Sequence, residues 1–255
     1  MALQIGSALE AAGYRLFSRT GAILLAAFLA LMIGLQALFN TITAITLTRL
    51  GFGDATAALP LTLDISLSVA GAGIAVGTVV SLYLTIVSFR TFVAGARDSF
   101  PGGAFTRNVP LAMVNVFVGG IVYGLLVLIG SILLLIPGIF AYVAFIFMTP
   151  YIIVDDRNFV AALKQSYRLT EGDRLTLFGL LLIVVVAAGF LGGIVGLVGM
   201  LALSQSAAQL PTVVLQTLVS LYSTAVIAVA FEQLRESDGV PPSAPNEADT
   251  PTSTV

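Results

Sequence analysis

The sequence predicts an all-α integral membrane bundle of about six transmembrane helices, with amphipathic helices on the cytoplasmic side. Three observations lead there. Apolar residues make up 58% of the 255 and charged residues only 9%, so a water-soluble chain would expose apolar patches far beyond the few hundred Å² usually tolerated. The apolar residues gather in runs close to the roughly 20 residues that carry a helix across a bilayer core of about 30 Å. The basic residues lie between the runs, nearly all on one side of the alternation.

Residues 3–18 predict a short helix with Ile5, Leu9, Ala12 and Leu16 on one side. Arg15 and Arg19 precede the apolar run Ala22–Phe39. That run exceeds the roughly 7–15 residues of a signal-peptide core, and no small-x-small site follows closely, so it is read as a retained first span. Asn40–Asp64 is polar and Thr-rich, with a turn at Gly51-Phe52-Gly53, and reads as a loop. Ser66–Phe89 is the second span, and Arg90–Asn108 is charged and broken by Pro101-Gly102-Gly103.

Leu111–Ile136 is the third span. Pro137 and Gly138 then form a structural turn too tight for an extramembrane domain. Ile139–Val154 is the fourth span, with a bend expected at Pro150 because proline lacks a backbone donor. Leu175–Leu203 and Thr212–Phe231 are the fifth and sixth. Residues 1–235 thus form a membrane domain. Residues 236–255, rich in proline and acid and poor in large apolar side chains, predict a disordered cytoplasmic tail.

In this layout Arg15, Arg19, Arg90, Arg97, Arg107, Arg157, Lys164, Arg168, Arg174 and Arg235 share one side, and Arg49 alone takes the other. The positive-inside rule places both termini in the cytoplasm of a cell-membrane protein.

Composition also bounds the chemistry. Cysteine and histidine are absent, which removes thiolate chemistry, disulfides, imidazole metal sites and histidine acid–base catalysis. No catalytic residue, metal or cofactor is expected, and no basic cluster suggests nucleic acid. No charged residue lies near the middle of a span, so ion-coupled transport loses support. Gln36, Asn115, Tyr123, Thr149 and Gln216 read as hydrogen-bonding groups between helices.

Asp155 and Asp156 are placed to cap the following helix, Arg157–Thr170, where acids favour the positive end of the dipole. That helix turns Phe159, Val160, Leu163 and Tyr167 to one side and Arg157, Lys164 and Arg168 to another, a pattern suited to the headgroup region. Gly172 can terminate it. Arg90-Thr91-Phe92-Val93-Ala94-Gly95-Ala96-Arg97-Asp98-Ser99 aligns without gaps to residues 157–166 with five identities. The likeness suggests an internal repeat and adds Arg90 and Arg97 to the expected lipid or partner contacts. In the fifth span Gly189, Gly193 and Gly196 sit at spacings that let helices approach closely, and are expected to serve helix packing.

Ile136-Pro137-Gly138-Ile139, an apolar span, Asp155-Asp156, Ala162-Leu163, Ser166, Leu169-Thr170 and Gly172 together form a recognisable pattern. In it the chain resembles a broad, largely uncharacterised family of bacterial and archaeal membrane proteins. That family looks related to the membrane domain beside some glycerophosphoryl diester phosphodiesterases, and the form here is similar to those of salt-loving archaea. The resemblance implies the fold and no activity. The function expected is a non-enzymatic scaffold or accessory subunit whose cytoplasmic helices touch membrane lipids or a membrane-protein partner. The alternative is a permease for a lipid-like or apolar solute.

Overall fold

The computed structural model describes residues 3–202, 209–237 and 239, and among them every regular element is helical. The order is α1 (Ile5–Leu16), α2 (Arg19–Arg49), a short 3₁₀ helix (Gly53–Ala58), α3 (Leu67–Val93), α4 (Val109–Leu133), α5 (Leu135–Ala144), α6 (Met148–Val154), α7 (Phe159–Leu169), α8 (Arg174–Ala202) and α9 (Gln209–Ser237). Six stretches are long and apolar enough to cross a membrane: α2, α3, α4, α5 with α6, α8 and α9. The expected tail lies outside the described residues from 240 onward.

The first span is longer than the apolar run announces. α2 continues through Asn40–Arg49, read above as loop, because its threonines supply their own backbone partners. The hydroxyls of Thr41, Thr43, Thr46 and Thr48 each donate to the carbonyl four residues earlier, at 2.7–2.9 Å. A hydroxyl satisfied within the helix carries no demand for water, so the Thr-rich sequence is compatible with a continued helix. At about 1.5 Å per residue α2 is ~46 Å long, and it reaches past the bilayer core or tilts within it.

α2 and α3 pack closely where glycine permits. A Cβ on Gly73 would stand 2.8 Å from Leu38 Cδ1, and Gly77 faces Leu35 in the same way. α9 contacts both helices and α1 as well. Gln4 N donates to Gln233 Oε1 at 3.2 Å, and the Tyr222 hydroxyl donates to Leu9 O at 3.1 Å. The start of α1 and the end of α9 therefore share one end of the bundle.

The third and fourth spans form a hairpin whose reversal lies at Leu134, in extended conformation (φ −160°, ψ 138°). Pro137 and Gly138 do not make the turn. They sit in the first turn of α5, where proline's missing N–H costs nothing. Gly138 instead permits contact between the two arms: its Cβ would fall 2.7 Å from Ser131 N, and one on Gly130 would fall 2.9 Å from Gly138 N.

The fourth span breaks at residues 145–147, one turn before Pro150. Proline cannot donate to the carbonyl four residues back, and its ring clashes there. The disruption thus falls N-terminal to the proline, not at it. α7 repairs it. Ser166 Oγ donates to Ala144 O at 2.9 Å and accepts from Phe147 N at 3.1 Å, while Thr170 Oγ1 donates to Ala144 O at 3.4 Å. Ser166 and Thr170 are fully buried. An open backbone carbonyl in apolar surroundings costs several kcal/mol, so this staple decides which face of α7 turns inward.

That face is Ala162, Ser166 and Leu169. Of the Phe159–Val160–Leu163–Tyr167 side expected from hydrophobicity, Phe159 and Leu163 pack partly against the core, whereas Val160 and Tyr167 are exposed. The core is concentrated at the same end, among α1, the last turns of α3, all of α6, the start of α8 and the second half of α9. Phe231 stands at its centre, 4.9 Å from the Tyr151 ring and 5.7 Å from that of Phe147.

Gly189, Gly193 and Gly196 of α8 have nothing within 4 Å of a Cβ position, so they do not pack this bundle. Close approach belongs instead to Gly73, Gly77, Gly119, Gly130 and Gly138. Nor do the aligned segments share local structure: Arg90–Val93 closes α3, whereas Arg157 and Asn158 precede α7.

Candidate functional site

The polar chemistry collects at the terminus-bearing end. The spans that carry charge carry it near their ends, where a side chain reaches past the apolar segment, and the third and fourth spans carry none. Folding brings these ends together into three ion-paired stations. At the first, Arg15 of α1 meets Glu232 of α9, with Nη2 2.5 Å from Oε2. Arg15 Nη1 also donates to Phe92 O in the last turn of α3. At the second, Arg235 Nη1 of α9 stands 3.1 Å from Asp155 Oδ1, with its guanidinium 5.0 Å from the Phe231 ring centroid.

At the third, Asp156 faces two arginines. Its Oδ2 is 3.2 Å from Arg107 Nε, and its Oδ1 is 3.8 Å from Arg90 Nη2. Arg90 also donates through Nε to Ile153 O (3.2 Å) and through Nη1 to Ala104 O (3.3 Å). Arg107 Nη2 donates to Val154 O at 2.5 Å. The carbonyls of Ile153 and Val154 are the free C-terminal end of α6, so arginine satisfies groups that the helix itself leaves open.

Several expected roles change here. Asp155 and Asp156 do not cap α7. Asn158 does, its side chain accepting from Ala161 N at 2.9 Å. Asp155 closes α6, and Asp156 adopts a left-handed backbone (φ 51°). Both carboxylates are committed to arginines. Arg90 is only 7% exposed, so it is not the surface cation expected. Arg97 is exposed, with its guanidinium 5.8 Å from the Tyr14 ring centroid and its carbonyl accepting from Thr20 N at 3.0 Å.

Arg157, Lys164 and Arg168 are exposed as expected, and no ion pair among the described residues engages them. Lys164 and Arg168, one turn apart, stand opposite Ser166 on α7, whereas Arg157 lies just before the Asn158 cap and outside the helix. Arg174, counted only as an orientation marker from sequence, lies over Tyr167 (4.2 Å) and Phe140 (4.8 Å). Glu232 carried no local signal: its partner is Arg15, at the other end of the chain.

Among the described residues no three acids gather as a metal site. At the opposite end an open groove of about 420 Å³ is lined by Thr41, Ala44, Ile45, Thr48, Arg49, Thr56, Thr62 and Leu63. The Thr41, Thr48 and Thr56 hydroxyls there spend their hydrogens on backbone carbonyls.

Six apolar helices of spanning length, with charge confined to their ends, define a helical membrane protein. The chain belongs to the family described as a domain of unknown function (DUF7847), whose model matches residues 3–234. Comparison with curated proteins and with solved structures returned no match.

Proposed function

We propose that the protein is a non-enzymatic, multi-pass scaffold or accessory subunit of the cell membrane. In this reading both termini are cytoplasmic and α7 contacts anionic lipid headgroups. The observation that carries it is the exposed pair Lys164 and Arg168 on a helix pinned from behind by Ser166 and Thr170, with exposed Arg157 just ahead of its cap and no ion pair to any of the three among the described residues. A fixed helix with an outward basic face and neighbouring Val160 and Tyr167 offers cations to phosphate and apolar surface to the acyl boundary. Each such cation adds about 1 kcal/mol of attraction near an anionic leaflet.

The chain resembles a family that looks related to the membrane domain beside some glycerophosphoryl diester phosphodiesterases, which fits a domain that supports another component instead of carrying the chemistry. The permease reading draws only on the lack of charge within the spans. The groove at the far end gives it no path, because it opens outward.

Native mass spectrometry of protein released with its own lipids tests the proposal. An anionic lipid retained by the native chain should be lost when Arg157, Lys164 and Arg168 are all changed to alanine. Equal retention by the triple variant would remove α7 from headgroup binding.

A further inference from the structure

The Asp156 station has more positive charge than its carboxylate can satisfy. Arg90 is nine-tenths buried, yet its Nη2 is a buried donor with no hydrogen-bond partner. Asp156 Oδ1, at 3.8 Å, attracts it as a charge but is beyond hydrogen-bonding range. Arg107 binds the other carboxylate oxygen and has its side chain 40% exposed, so the station is open on that side. One carboxylate is thus stretched between two guanidinium groups. It hangs from a residue in left-handed conformation, on the short segment between α6 and α7.

Arg90 Nη2 and Arg107 Nε converge on one anion, while Arg90 Nε and Nη1 and Arg107 Nη2 are held by backbone carbonyls, so both guanidinium groups are fixed and one facing donor lacks an acceptor. A phosphate group carries more charge and more acceptor oxygens than a carboxylate, which suits two fixed guanidinium donors. We propose that Arg90 and Arg107 form a phosphate-binding site whose resident anion, Asp156, is a built-in competitor that the phosphate displaces. Binding would give Arg90 Nη2 its missing acceptor and release the Asp156 side chain. The site lies at the level of the bundle end where the basic residues collect, so a lipid phosphodiester and free inorganic phosphate present the same chemistry to it. It uses none of the α7 cations and stands or falls apart from them.

The test uses the full chain in phosphatidylcholine nanodiscs, titrated calorimetrically with inorganic phosphate, alongside native mass spectrometry of nanodiscs containing phosphatidylglycerol. Asp156→Asn is the informative variant, since asparagine also tolerates the left-handed backbone and removes only the competing charge. It should raise affinity for the phosphate group about tenfold, the scale of one charge-assisted hydrogen bond. Arg107→Gln should abolish binding, and Arg107→Lys, which keeps charge but loses the fork, should weaken it severalfold. A gain with inorganic phosphate assigns a soluble ligand, whereas a gain seen only as retained phosphatidylglycerol assigns a lipid. If Asp156→Asn binds neither more tightly than the native chain, or if both Arg107 variants bind as it does, the station is only a tether and the proposal fails.

Discussion

Arg15 and Glu232, 217 residues apart in sequence, meet at 2.5 Å with side chains 14% and 23% exposed. The pair joins the first helix to the last, and through Phe92 O it also holds the end of α3. Removing one partner strands the other in a nearly dry site, which typically costs about 3–5 kcal/mol. Replacing both with apolar residues strands neither. Glu232→Gln and Arg15→Met are each expected to lower the unfolding midpoint in detergent clearly. The double variant Arg15→Met/Glu232→Leu should lose less than the two losses summed. Additive losses would mean that the two charges are not coupled.

Ser166 is expected to matter more than its size suggests. Ser166→Ala leaves Phe147 N–H without its partner and takes one of the two donors from Ala144 O, a loss of about 1–3 kcal/mol. The need arises because Pro150 denies the fourth span a continuous helix. Pro150→Ala should therefore recover part of the stability lost in Ser166→Ala while costing more in the native background. Hydrogen exchange at residues 144–150 reads this directly. Unchanged protection in Ser166→Ala would show that the staple is dispensable.

The glycines divide by position. Gly138→Ala drives a methyl group into Ser131 and should force the α4–α5 hairpin apart, with a loss of at least about 1–3 kcal/mol for overpacking. Gly193→Ala meets open space and gains helix propensity of up to about 1 kcal/mol. Thermal midpoints of the two variants should move in opposite directions. A marked loss in Gly193→Ala, together with a change in oligomeric mass, would reveal a helix from another chain at that stripe.

The orientation can be read in a chain that contains no cysteine of its own. Asp54 lies in the 3₁₀ helix after the first span, and Lys164 lies on α7; both are exposed. In intact cells a membrane-impermeant maleimide should label Asp54→Cys and spare Lys164→Cys, which should react only after permeabilisation. The reverse pattern would invert the positive-inside assignment.

The sequence by itself determined the class and the count of spans. Length and hydropathy decide whether a helix crosses a bilayer, and both are local quantities. It also exposed Ser166 and Thr170 as members of a pattern without saying what they do, and it read Pro137 and Gly138 as the turn that Leu134 makes instead. Their roles depend on a partner from elsewhere: Ser166 on the break that Pro150 imposes a helix away, Gly138 on the opposite arm of a hairpin.

Only the tertiary structure decided the fate of the charges. Arg90 and Arg157 open two aligned segments of like composition, yet Arg90 is buried against α6 while Arg157 is exposed. Periodicity reports which residues share a face of a helix. It does not report what that face meets. At the ends of spans, free helix carbonyls, arginines and a few acids must be matched with one another, and the match is set by which ends folding brings together.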